Sequence, residues 1–349
     1  VAIGTNALGA STTGCKNIAI GLTAMGGADV SADGNIAIGE LSADALTTGN
    51  NNYAIGKDAL GASTTGCYNI AIGRTAMGGT DVTGIDNLAI GRNSMDALTT
   101  GICNVAIGRC ALGASTTGCL NVAIGNTALG GAITTGSSNV AIGPDAGDAA
   151  TSAFNGVFLG LRAFGAGTTG GNNIAIGRQA MGLGVVTGCH NIAIGDDAAE
   201  DLTTGMCNVA IGKNALLNST TGCLNIAIGP TAMGAGVTTG PNNVAIGDSA
   251  GTAMTSGGYN IAIGKSAGVA VNSGYHNISI GTCAGCGHTT VNCVINIGVG
   301  MNQVLSTYTC IGGAIILGAQ FSATSDCRSK CNIKDLPFGL EFINLLRPV

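Results

Sequence analysis

The sequence predicts an all-β protein, a β-solenoid whose coils are 17 or 18 residues long, and three observations predict it. A glycine closing the phrase NIAIG or a near variant recurs at an almost fixed period: Gly4, Gly21, Gly39, Gly56, Gly73, Gly91, Gly108, Gly125, Gly143, Gly160, Gly177, Gly195, Gly212, Gly229, Gly247, Gly264, Gly281 and Gly298. Each period holds one short alternating apolar run, typically Ile-Ala-Ile or Val-Ala-Ile, bounded by turn-forming residues. The composition is also far from that of an ordinary enzyme domain. The 349 residues include 61 Gly and no Trp, with 3% aromatic and 9% charged side chains, where about 25% charged residues and about 7% Gly are usual.

A fixed period dictates architecture before any local signal does. From Gly4 to Gly264 the steps run 17, 18, 17 and repeat, so three units sum to 52 residues. STTGCKNIAIG at 11–21 accordingly returns as STTGCYNIAIG at 63–73 and STTGCLNVAIG at 115–125, the trace of a duplicated three-unit block. One unit, approximately T-T-G-x-x-N-[I/V]-A-I-G-x-x-A-[L/M]-G, is too short for a helix pair. Its Ile-Ala-Ile run reads as a strand of three to five residues ending at the glycine, with TTG forming a second turn or short strand. Such a unit cannot bury its own apolar face, but stacked units can, each strand pairing with its equivalent one coil away. About 17 coils at roughly 4.8 Å each make a rod about 80 Å long. The expected packing puts the isoleucines inside as a continuous ladder. It leaves the intervening Ala, and the Ala or Ser three residues after the glycine, on a second face that another chain can approach closely.

Taken in order, residues 1–300 are the repetitive shaft, 301–324 a transition and capping segment, and 325–349 a separate C-terminal unit. The chain opens on VAIGTNALGA, the middle of a repeat, so the sequence is expected to begin inside a longer polypeptide. An Asn precedes the strand in most coils, for example Asn17, Asn35, Asn52, Asn69, Asn87 and Asn104, where stacked amides can bond along the rod. Of nine cations before residue 300, Lys57, Arg74, Arg92, Arg109, Arg162, Arg178, Lys213 and Lys265 follow the repeat glycine by one or two positions and share one solvated edge. Arg74, Arg92 and Arg109 occupy successive coils and are a candidate binding rank.

Many of the 14 cysteines also follow the repeat, Cys15, Cys67, Cys119 and Cys223 in one phase and Cys103 and Cys207 in another. Same-phase residues three coils apart are about 14 Å apart, beyond disulfide reach, so free thiols are expected. Cys283, Cys286, His288 and Cys293 form C-x2-C-x-H-x4-C, whose spacing is compatible with zinc. Cys283 equally fills an ordinary variable position of its coil, and no cofactor is expected. His190 and His276 read as turn residues. The net charge of −5 and the lack of basic clusters argue against nucleic acid as a partner. No apolar run approaches the roughly 20 residues of a membrane span, so no membrane insertion is expected.

The final segment, SDCRSKCNIKDLPFGLEFINLLRPV, abandons the glycine pattern. It resembles the opening of the intramolecular chaperone domain of phage tail fibres and endosialidase tailspikes, the peptidase S74 family, through Ser325, Asp326, Arg328, Lys330, Asn332, Ile333, Leu336, Gly339, Leu340, Ile343, Leu345, Pro348 and Val349. DLPFGLEFINLL reads as a short helix opening at Pro337, with Asp335 near its N-cap. The resemblance implies a domain that trimerises, guides folding of the preceding fibre and then releases itself. It implies Ser325 as nucleophile, Lys330 as base and Thr324-Ser325 as the scissile bond, with no external substrate. The NxAIGxxA coil is also similar to the head β-rolls of trimeric autotransporter adhesins. Both resemblances imply three chains side by side.

The expected function is therefore the shaft of a homotrimeric viral tail fibre or spike, displayed on the virion surface and assembled in the host cytoplasm. Its expected partners are copies of itself, other virion tail proteins and a host cell-surface receptor or glycan. A bacterial surface adhesin head and an ice-binding solenoid, the latter from the repeated Thr pairs, are the alternatives.

Overall fold

The computed structural model describes residues 1–287 and 289–300. It is a β-solenoid of 18 strands in a single parallel sheet, with no helix among the described residues. The first strand, Ala2–Ile3, has two residues, and the others, from Ile18–Ile20 to Ile295–Ile297, have three. Each strand pairs with the next in sequence at equivalent positions, as in Ile70 with Leu88, Ala71 with Ala89 and Ile72 with Ile90. The register follows the repeat glycine without a slip, whether the step is 17 or 18 residues. The TTG segments are not strands, yet their backbones also bond coil to coil, Thr47 N–H to Thr64 O and Thr99 N–H to Thr116 O at 3.0 Å.

The strand faces are the reverse of the sequence expectation. In most strands the central residue is an Ala that points inward and is fully buried (Ala19, Ala37, Ala54, Ala71), while its two flanking apolar residues point outward and stay partly exposed. Alternation puts the two isoleucines on one side and Ala on the other, but does not say which side is inside. The coil's width decides. Opposite the strand, the buried Ala24, Met25, Val30, Leu46 and Leu60 already fill the interior. Ala or Ser three residues after the glycine is therefore core, not a docking surface: Ala24, Ser42, Ala59 and Ser94 are fully buried.

One coil shows how narrow this interior is. Phe158 replaces the usual strand Ala and is fully buried, stacked on Phe164 at 4.3 Å. Gly147 and Gly156 stand where most other coils have Leu or Met and Asn, respectively. A Cβ on Gly156 would lie 2.3 Å from Phe158 Cζ, and one on Gly147 3.0 Å from Cδ2. In this coil a second large side chain enters the core with Gly147 and Gly156 leaving it room.

Two further ranks hold the coils at their spacing. The repeat glycines have φ between 122° and 141°, and a Cβ on Gly91 would sit 2.3 Å from Gly108 O. The buried Asn rank forms a ladder, as expected, with a definite pattern. Asn52 N–H donates to Asn35 Oδ1 at 2.8 Å, while Asn52 Nδ2 donates forward to Gly66 O at 2.7 Å. Each amide thus satisfies backbone groups that no strand ladder reaches.

Candidate assembly face

The outward face of the sheet carries two parallel apolar ranks. Every residue on them from Ile18 to Ile297 is Ile, Val, Leu or Tyr, with no charged or polar member. Stacking on the coils above and below half-buries most of them, and even so Ile55, Ile72 and Ile142 remain 37–41% exposed. A strip about 80 Å long and about 10 Å wide follows from strand spacing and rise. Its area, about 800 Å², exceeds the roughly 300–600 Å² of the largest apolar patch on a typical monomer. Further exposed apolar residues flank the strip before the strand, among them Tyr68, Ile85, Leu120, Phe154 and Leu224.

On the other flank runs the charged edge, immediately after the repeat glycine. Lys57 pairs with Glu40 at 3.0 Å, Arg178 with Asp196 at 2.7 Å and Asp197 at 2.6 Å, and Lys265 with Asp248 at 3.8 Å. All are pairs between neighbouring coils of the rod, and apart from Asp197, whose side chain is 16% exposed, their members are exposed enough for each pair to contribute little stability.

The cysteine of the STTGC phrase has a structural part to play. Cys67 Sγ accepts the Asn50 N–H at 3.3 Å and donates to Thr65 O at 3.5 Å. In the same phase Asp33 Oδ1 accepts Cys15 N–H at 2.6 Å and Asn50 Oδ1 accepts Asp33 N–H at 2.7 Å. The thiol thus substitutes for Asp or Asn as the acceptor of a backbone N–H one coil earlier. The described cysteines are free, and none of them is fully buried. His190 and His276 occupy left-handed turn positions with φ of 62° and 58°, as the sequence suggests, and His276 stacks on Tyr259 at 5.0 Å.

Among the described residues no three His, Cys, Asp or Glu side chains come together to hold a metal. Cys283, Cys286 and Cys293 are among these residues. His288 lies outside them, as do Ser325, Lys330, the Thr324-Ser325 bond, the 301–324 segment and the expected helix at Pro337. No helix among the described residues is long and apolar enough to cross a membrane.

Sequence reading missed an acidic rank. Asp44, Asp96 and Asp148 are 52 residues apart, and in each Oδ1 is buried without a hydrogen-bond partner. Their exact 52-residue spacing was the available signal. Asp148 lines an open notch of about 260 Å³ with Asp145, Arg162, Gly165, Ala166, Gly182 and Leu183. Burial and the Asp145 charge raise the Asp148 carboxyl above its ordinary 3.8, against the Gly131 N–H and Arg162. Burial likewise raises Glu200, reinforced by Asp197 and Asp201.

Comparison with models of known protein families finds no match, and comparison with curated protein sequences finds none either.

Proposed function

We propose that the chain is the shaft of a homotrimeric fibre, a viral tail fibre or spike that holds an attachment part away from the particle and ends in the start of a self-releasing S74-type chaperone. The observation that carries this reading is the uninterrupted outward apolar strip. A solitary rod would leave it in water along its whole length, whereas about 800 Å² per partner matches a standard stable interface. Second copies of this chain are the occupants that fit, because the strip repeats at the coil rise and only an equally repetitive, straight surface matches it throughout. Three copies, rather than two, follows from the resemblances of residues 325–349 and of the coil. The partners are then the other two copies, further virion proteins and a host surface receptor.

Mass measurement by light scattering on the full chain tests the assembly. Three times the chain mass is expected, and a monomer overturns it. Introducing Ile72→Asp, Ile90→Asp and Ile107→Asp together is expected to release monomers that keep their β-sheet circular dichroism. Self-release is tested separately by Ser325→Ala in a chain continuing through the whole chaperone domain. A longer product on a gel is expected, and equal band sizes remove the activity.

A second reading rests on a different rank. Thr48, Thr65, Thr83, Thr100, Thr117 and Thr135 are exposed, one per coil, the single-file array an ice-binding surface would present. Thermal hysteresis in the purified protein would support that reading, and its absence ends it.

A further inference from the structure

The edge beside the apolar strip contains three successive arginines that no ion pair compensates among the described residues. Lys57, Arg74, Arg92 and Arg109 each follow the repeat glycine of four successive coils. Their backbones are locked in register. Thr75 N–H donates to Lys57 O at 2.9 Å, Asn93 N–H to Arg74 O and Cys110 N–H to Arg92 O at 3.0 Å, and Thr127 N–H to Arg109 O at 2.9 Å. The three arginines therefore project at intervals of about 4.8 Å, and all three are exposed. Like charges held opposite one another on neighbouring strands destabilise a sheet.

At three points this edge cancels charge within the chain, while Arg162 and Lys213 stand singly without an ion pair among the described residues. Lys57 has Glu40, Arg178 has Asp196 and Asp197, and Lys265 has Asp248. Arg74, Arg92 and Arg109 form no ion pair among the described residues, and beyond Arg109 the rank continues with the neutral Asn126. A second copy packed in register does not supply the missing charge. The opposite flank of the same three coils consists of Cys67, Tyr68, Ile85, Asp86, Ile102 and Cys103, one carboxylate for three guanidiniums.

We propose that Arg74, Arg92 and Arg109 form a binding rank for a linear acidic polysaccharide carrying one carboxylate per sugar. A guanidinium presents a planar fork that pairs with a carboxylate through two N–H donors. Three forks in a straight row at the coil rise select an extended polymer whose charges recur at a similar repeat. They discriminate against single sugars, which reach one fork only. The rank does not depend on what the fibre is attached to. It requires that this edge stay at the surface of the assembled rod.

The test uses the full assembled chain and polygalacturonate as probe, with binding followed by calorimetry at several salt concentrations. Neutral dextran, monomeric galacturonate and double-stranded DNA are run alongside. Polygalacturonate is expected to bind, with dextran and the monomer at least tenfold weaker. Substituting Arg74→Gln, Arg92→Gln and Arg109→Gln together should weaken binding at least tenfold at low salt. It should also flatten the dependence of log affinity on log salt by about 2, three contacts at roughly 0.7 each. Unchanged circular dichroism and assembled mass confirm that the variant is otherwise intact. Lys213→Gln serves as the control and should leave binding unchanged. No binding, equal binding by the triple variant, an equal loss in the Lys213 variant, or tighter binding to DNA than to polygalacturonate would each overturn the assignment. None of these results bears on the chain's assembled mass or on Ser325, so the fibre reading is judged separately.

Discussion

At the scale of single residues, position within the coil matters more than residue type. Asn104 and Asn126 are both polar amides, but only Asn104 is buried, accepting from Asn121 N–H at 3.0 Å and donating to Gly118 O at 2.8 Å. Asn104→Ala strands a buried N–H and a buried carbonyl, so a loss of about 2–4 kcal/mol is expected in chemical denaturation. Asn126→Ala, on the exposed edge, should change stability by less than about 0.5 kcal/mol. Asp148 carries a pH dependence whose sign is fixed by its raised carboxyl. The folded chain holds this proton more firmly than the unfolded chain, so its contribution is greatest below the ordinary 3.8 and is lost as pH rises through the folded value. Asp148→Asn should therefore stabilise the protein at pH values near neutrality and lose that advantage near pH 3, as read from denaturation midpoints at both ends.

At the scale of the coil, core volume is conserved by exchange between positions. Phe158 supplies in one coil what Leu or Met supplies in most others, with Gly147 and Gly156 making the room. Phe158→Ala should cost about 3–5 kcal/mol, as buried Phe truncations do. Adding Gly147→Leu and Gly156→Asn rebuilds the common coil, because Leu60 and Leu112 already adopt the φ near 50° that the Gly147 position needs. Most of the loss should return, and a triple variant no more stable than the single one would show that the positions do not compensate. The repeat glycine tolerates no such exchange. With a Cβ on Gly91 pressed to 2.3 Å from Gly108 O and φ at 136°, Gly91→Ala must force two coils apart. A cost of at least about 3 kcal/mol is expected from strain and overpacking together.

At the scale of the molecule, stability is close to a sum over neighbouring coils, since each strand touches only the strands before and after it. Deleting residues 74–125, one 52-residue block, joins equivalent positions and should leave a folded rod about 14 Å shorter. Deleting 74–117 joins inequivalent positions, so the downstream strands would meet their neighbours out of phase with the Asn and Gly ranks. Small-angle scattering and circular dichroism distinguish the outcomes, and a folded rod from both deletions would contradict a register set by those ranks. The same near-identity of coils makes register slips cheap during folding, a hazard that the proposed chaperone would counter.

The period, the strand positions, the parallel stacking, the Asn ladder and the solvated cation edge were all legible in the sequence, because each follows from repetition alone. A residue that recurs at every coil must form a rank along the rod, whatever the coil's cross-section. Which side of the strand faces inward was not legible, since Ile-Ala-Ile alternates equally well in either sense. Nor was the use of Cys67 as a backbone acceptor, or the unpartnered oxygens of Asp44, Asp96 and Asp148, because these depend on what lies across the coil and one coil away. The tertiary structure decided them through a single constraint. A coil this small has no space inside for two Ile per turn, so Ala packs within and the isoleucines are left on the outside as an apolar strip.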